Sequence, residues 1–216
     1  MRPAPDFLDV PKPAAVAALP ITGAGLPVPF TTLYRPDDGR DVRYTVSATR
    51  GPMCACKCKF GIGRALIGVQ CVNRQRRAMR NRLCGVCGQS LHTGDDIIFV
   101  GQCEPFAPDG AAGPTIPATV EAPTHPACTV YSALTCPSLM RDPDTTRLAV
   151  MSQYDLADQL LTGYNTRGEP RYVLAPQATN HRLLGALNSY AALLHPENGR
   201  LTTLGEWMRD EAPALS

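Results

Sequence analysis

Apolar and polar positions along this chain follow several different rhythms. Over residues 1–29, proline alternates with alanine, leucine and valine at neither a two-residue nor a 3.6-residue period, so a flexible or extended arm is expected there. From Phe30 the pattern turns β-like. Phe30-Thr31-Thr32-Leu33-Tyr34 and Val42-Arg43-Tyr44-Thr45-Val46 flank the turn Arg35-Pro36-Asp37-Asp38-Gly39 and predict a hairpin. Met53 to Phe60 carries cysteine at every second position, which in a strand would set Cys54, Cys56 and Cys58 on one face. A helix is predicted from about Val72, running towards Leu83. Gln89 to Leu91 and Ile97 to Gly101 are strand candidates joined by the turn at 92–96, and 102–123 reads as a Pro/Gly/Ala-rich insertion.

Farther along, helical spacing dominates. Leu156, Leu160 and Leu161 predict a helix within Met151 to Tyr164, and Arg171 to Ala175 a short strand ended by Pro176. Asn180 to Leu194 gives the clearest helical pattern, with Leu183, Leu184, Leu187, Ala191 and Leu194 on one face behind an Asn180 cap. Thr203-Leu204-Gly205-Glu206 has capping-box spacing and predicts a last helix carrying Trp207 and Met208.

Composition bounds this picture. The 216 residues suffice for one domain with a sizeable core and extensions, while 21 prolines and 18 glycines imply much irregular backbone. No run approaches the roughly 18 apolar residues that span a bilayer. The N-terminus carries Asp6, Asp9 and prolines instead of a cationic start and an apolar core, so a cytoplasmic protein without membrane contact is expected. Nine cysteines, an odd number, then read as reduced and metal-binding. The net charge of +2 hides an asymmetry: residues 40–82 carry +10 and residues 83–216 carry −7. A basic stretch of that kind suits an anionic ligand, or else matches the acidic half of the same chain.

The candidate chemistry is a metal site. Cys84 and Cys87 form a C-x2-C knuckle on a Cys-Gly-Val-Cys-Gly turn, where two thiolates can grip one side of a tetrahedral ion. Pro123-Thr124-His125-Pro126-Ala127-Cys128 reads as a helix start with Thr124 as N-cap, placing His125 and Cys128 at i, i+3 on one face. Knuckle, hairpin and two ligands from the first turn of a helix make a treble-clef arrangement for Zn2+, with Cys136 about two turns too far along to join. The expected fold is therefore α+β. It comprises a treble-clef-like zinc unit with an N-terminal β-hairpin over 30–140, and a C-terminal helical extension over 141–216 packed on it.

Two further clusters have two readings each. Cys54, Cys56 and Cys58 with Cys71, or with Cys103, are candidates for a second metal; the alternative is cysteine as a small buried hydrophobe opposite solvated lysines. Arg74, Arg76, Arg77, Arg80 and Arg82 on the basic helix are candidates for phosphate contact with DNA or RNA, or for a solvated face.

The run Arg82-Leu83-Cys84-Gly85-Val86-Cys87-Gly88-Gln89-Ser90-Leu91, followed by His125-Pro126-Ala127-Cys128 and then Cys136-Pro137, resembles a group of actinobacterial and phage proteins. They share an R-L-C-x-V-C-G-x-x-L knuckle, an H-P-x-C helix start and a C-P ending. The resemblance covers about residues 74–140 and implies the four-ligand set without implying an activity. The spacing is also similar to the first half of a LIM domain, with a longer loop here. HNH nucleases use a treble clef too, but they carry a catalytic histidine at the first hairpin strand, where this chain offers only His92 in unlike surroundings. The expected function is a zinc-stabilised binding protein that meets nucleic acid or an acidic protein surface through residues 50–82, without need of enzyme chemistry. The alternatives are a structural or virion-associated interaction protein and a divergent HNH-like nuclease.

Overall fold

The computed structural model describes residues 11–35, 43–47, 51–107, 114–177 and 184–211. One helical turn, α1 (Ala14–Ala17), precedes β1 (Thr32–Arg35), β2 (Arg43–Ser47), β3 (Gly51–Ala55) and β4 (Arg64–Gln70). The helix α2 (Val72–Asn81) follows, then β5 (Ile97–Val100), β6 (Glu104–Phe106) and β7 (Ile116–Thr119). Next come α3 (Pro126–Thr135), α4 (Pro137–Arg141), β8 (Arg147–Met151), β9 (Asp155–Tyr164), β10 (Pro170–Pro176), β11 (Ala186–Leu193), β12 (Gly199–Thr203) and α5 (Leu204–Asp210). The class is mixed α+β, with sheet outweighing helix.

Three sheets organise these strands. β1 and β4 form an antiparallel ribbon, β12-β8-β5 a three-stranded antiparallel sheet, and β10-β9-β11-β3-β2 the backbone of a seven-stranded sheet to which the β6-β7 hairpin adds through β11. In the three-stranded sheet, β5 and β8 are buried on both faces, while the edge strand β12 is largely exposed. Ile97 and Phe99 of β5, with Ala149 and Met151 of β8, enter the main core, while Ile98, Leu148 and Val150 meet Ala133 of α3 and Leu204 and Trp207 of α5. This is the two-residue period of a strand used on both sides.

The C-terminal third differs most from expectation. The helices expected within 151–164 and 180–194 are the strands β9 and β11, and residues 141–216 supply the central strands of both larger sheets instead of a helical extension. In β11 nearly every residue is buried: Leu187, and Leu194 just beyond the strand, enter the main core, while Ala191 packs in a separate cluster with Ala157 and Leu193. A strand covered on both faces loses its alternation and cannot be told from a buried helix by periodicity. Gly185 opens this strand at φ +153°, where a Cβ would come within 2.4 Å of the Leu161 carbonyl oxygen. The expected Asn180 cap lies outside the described residues. The strand at Pro170–Pro176 and the capping box of α5 form as expected: the Thr203 hydroxyl accepts from Glu206 N–H, and Glu206 reaches back to Thr203 N–H.

The N-terminal hairpin is also corrected. Both strands form, but β2 pairs with β3, which begins the cysteine-rich stretch, and β1 with β4, which follows it. Val16, within the stretch read as an arm, is fully buried in the main core. The 102–123 stretch contributes β6 and β7, so it is a hairpin with a long connection; β5 pairs with β8, leaving Ser90 bridged only to Leu83.

The helix α2 repairs a split in the large sheet. On one edge of β11, β3 meets only Leu187 and β7 only Ala192 and Leu193, which leaves the backbone between them without a strand partner. Gln75 fills part of that gap: its amide nitrogen donates to the Tyr190 carbonyl at 2.7 Å and the Val120 carbonyl at 2.8 Å, and its oxygen accepts from Tyr190 N–H at 3.1 Å. Arg76 fills the rest, donating to the carbonyls of Asn188 at 2.6 Å and Cys54 at 2.8 Å. Two side chains thus do the work of a missing strand, which satisfies buried peptide groups that would otherwise be orphaned.

Candidate metal centre

The chain enters the knuckle directly from α2. Arg82 ends the helix in the left-handed region at φ 50°, its backbone reversing the chain towards Cys84. Within the turn, Gly88 N–H donates to the Cys84 carbonyl and Cys84 N–H to that of Gln89, both at 2.8 Å. Gly88 has φ +74°, which favours glycine and closes the turn. The opposite wall is brought in by the bridge between Ile98 and Thr124 and by Gly85 N–H donating to the Pro123 carbonyl at 2.7 Å. A Cβ on Gly85 would lie 2.7 Å from that of Ala122, so the approach is as close as glycine allows.

His125, not Thr124, is the N-cap of α3, with Pro126 at the first helical position. The Thr124 hydroxyl bonds to Thr129 at 2.7 Å and to the Ile98 carbonyl at 3.0 Å, tying the helix start to β5. The structure brings Cys84, Cys87, His125 and Cys128 together with one ligand atom from each, all within 4.8 Å of one another. Cys87 Sγ lies 3.5 Å and Cys128 Sγ 4.0 Å from His125 Nδ1. A tetrahedral zinc ion with ordinary Zn–S and Zn–N bonds sets sulfur and nitrogen about 3.6 Å apart, so the donor set fits. His125 Nε2 faces the Ser90 carbonyl at 3.1 Å. Donation of that N–H would fix the ring orientation and leave Nδ1 as the ligand.

The electrostatics agree with a cation site. Hydrogen bonds from Cys128 and Cys87 pull the Cys84 thiol down to about 3, while Cys128 is pushed far up by sharing with Cys84 and Cys87. Cys87 also raises His125 above its ordinary value. Three sulfurs this close cannot all ionise until a cation neutralises them, so metal binding here must release protons. Cys136 caps the end of α3, outside the four-residue cluster. Cys103 is half-buried against the main core, with burial pushing its thiol up. His92 is exposed in its turn.

Of the second candidate set, Cys56, Cys58 and Cys71 converge within 4.8 Å and Cys54 stands apart. The reason is that β3 ends at Ala55. Cys54 is buried among Leu161, Ala186 and Val72, whereas Cys56 and Cys58 leave the strand and turn towards the start of α2. Burial pushes the Cys56 thiol up to about 12 and raises Cys71. Burial also works against the Cys58 thiolate, but hydrogen bonds from Cys56, the Tyr34 backbone and Cys71, with the Arg74 guanidinium, outweigh it and hold Cys58 below its ordinary value.

The five arginines of the basic helix divide. Arg74 and Arg76 are buried. Arg74 donates to the Thr32 carbonyl and to Cys58 Sγ, and lies over the rings of Phe60 and Tyr34. Arg82 is half-buried, donating to the Ser152 carbonyl at 3.2 Å over the Tyr154 ring. Arg77 and Arg80 are exposed, Arg77 over Phe30 and Arg80 bonded to the Tyr190 hydroxyl. Sequence reasoning missed Ser90, whose role rests on a carbonyl any residue could supply, and Asn73, whose side-chain amide nitrogen donates to the Cys56 carbonyl at 2.6 Å.

No family model, curated protein or solved structure matches the chain. No helix among the described residues is long and apolar enough to cross a membrane.

Proposed function

We propose that this chain is a zinc-stabilised binding protein. Cys84, Cys87, His125 and Cys128 hold one zinc ion between knuckle and helix start in the manner of a treble clef, and the basic 50–82 region meets an anionic partner. The supporting observation is the convergence of the four ligand atoms within 4.8 Å, with Cys84, Cys87 and Cys128 belonging to the main core. Three thiolates and an imidazole suit Zn2+, and four protein ligands leave no coordination position for a substrate or an activated water. The ion's contribution is then folding energy, joining two segments separated by 37 residues between Cys87 and His125.

Partner contact falls to the exposed cations. Lys57, Lys59, Arg64, Arg77 and Arg80 are exposed, and Arg77 lies over Phe30, whose ring makes a tilted contact with Phe60 beside the lysine-bearing turn. Nucleic acid is the partner that this surface suits best, through phosphate contacts that release counterions. Two measurements test the reading. Cys128→Ser should lose one equivalent of zinc by elemental analysis while Cys136→Ser keeps it; the reverse would overturn the ligand assignment. In gel-shift titrations at two salt concentrations, Arg77→Ala should lower the log-log slope for duplex DNA by about one unit. Absence of duplex and single-strand binding at low salt would remove nucleic acid as the partner.

A further inference from the structure

The sulfur cluster at the start of α2 takes no part in the centre just described. Cys58 Sγ and Cys71 Sγ lie 3.4 Å apart, and Cys56 Sγ joins them within 4.8 Å. Thiolates on a tetrahedral zinc ion stand about 3.8 Å apart, so small shifts around an ion would complete the geometry. The ligands come from a C-x-C turn and from the N-cap residue of a ten-residue helix. Asn73 holds the turn on both sides, accepting from Cys56 N–H at 3.4 Å and donating to its carbonyl at 2.6 Å, and is itself held by Arg76 at 2.8 Å. Cys58 N–H points at Cys56 Sγ at 3.3 Å, a donor placed for a thiolate.

We propose that Cys56, Cys58 and Cys71 hold a second zinc ion through three thiolates, with its fourth position on the solvent side. Charge supports this assignment. Three thiolates and Zn2+ carry a net −1, and the buried Arg74 guanidinium, 3.4 Å from Cys58 Sγ, offsets it. Cys71 is buried while Cys56 and Cys58 are half-exposed, so the side of the cluster away from Cys71 faces outwards. A single disulfide would use two of the sulfurs and leave the third beside it. A metal uses all three, as well as the positive charge.

The proposal stands independently of the first centre, and metal counting separates them. Elemental analysis of the purified full-length protein should give two equivalents of zinc, falling to one in Cys58→Ser and, separately, to one in Cys128→Ser. One equivalent that Cys58→Ser retains and Cys128→Ser loses would overturn this proposal and leave the first centre standing. One equivalent lost only in Cys58→Ser would do the opposite. Should Cys58→Ser fail to fold, the unmutated protein still decides. Cys56 and Cys58 should resist alkylation by iodoacetamide, mapped by mass spectrometry, and become reactive at least tenfold faster once a chelator strips zinc. Equal rates with and without chelator would overturn the site.

Discussion

Arg76 donates to carbonyls on β11 and β3 from inside the fold, and burial lowers its pKa without removing its charge. A guanidinium can serve this role where an ammonium cannot, because its planar fork reaches acceptors on two strands at once. Arg76→Ala would remove the guanidinium that the Asn188 and Cys54 carbonyls accept from. It should cost about 2–4 kcal/mol in urea unfolding, while Arg77→Ala, at an exposed position, should cost under about 1 kcal/mol. Equal costs would mean that the two arginines are not divided as the structure divides them. At this scale the two halves of the four-residue cluster were legible in the sequence, because C-x2-C and H-x2-C are local spacings; their meeting depends on the Ile98–Thr124 bridge and the Gly85–Pro123 bond, which no local spacing announces. The division of the arginines was not. Acceptors for Arg76 at Leu187 and Asn188 lie more than a hundred positions away, and no local spacing reveals them.

Among the elements, those with end signals were readable and those with covered faces were not. Val72 opens α2 where the sequence places it, and Thr203 with Glu206 opens α5. β9 and β11 differ from the helices expected there because bulges disturb the two-residue period, between Leu187 and Ser189 in β11 and at Thr162 in β9, and because leucines face cores on both sides. α5 shows what its cap does. The helix is short, seven residues, and it carries the buried Trp207, whose indole N–H donates to Glu211 at 2.7 Å. Thr203→Ala should therefore lower stability by about 1 kcal/mol and loosen Trp207, seen as a red shift of its fluorescence. An unchanged melting temperature and emission would show that packing against β5, β8 and α3 fixes α5 without the cap.

At the scale of the molecule, the ion pairs among the described residues do not join the two charged halves. Arg209 bonds to Asp144 and Arg200 to Glu211, pairs lying within the acidic half, while the α2 arginines turn to carbonyls, a hydroxyl and aromatic rings. Within residues 40–82, the cations the structure leaves exposed are Lys57, Lys59, Arg64, Arg77 and Arg80. The plug that Gln75 and Arg76 place in the large sheet has another consequence, one for solubility. An unpaired stretch of strand is a template on which a second chain can add, and β11 is long, apolar and bordered by such a gap. While α2 is seated, no foreign strand can enter there. Loss of either proposed metal at the ends of α2, or replacement of Gln75 by leucine, should open that edge, and the protein should then self-associate at temperatures below its melting transition. Static light scattering on a slow thermal ramp would register this: scattering that rises before the loss of ellipticity in Gln75→Leu, but together with it in the unmutated chain. Coincident transitions in both would mean that the edge never becomes exposed separately from global unfolding.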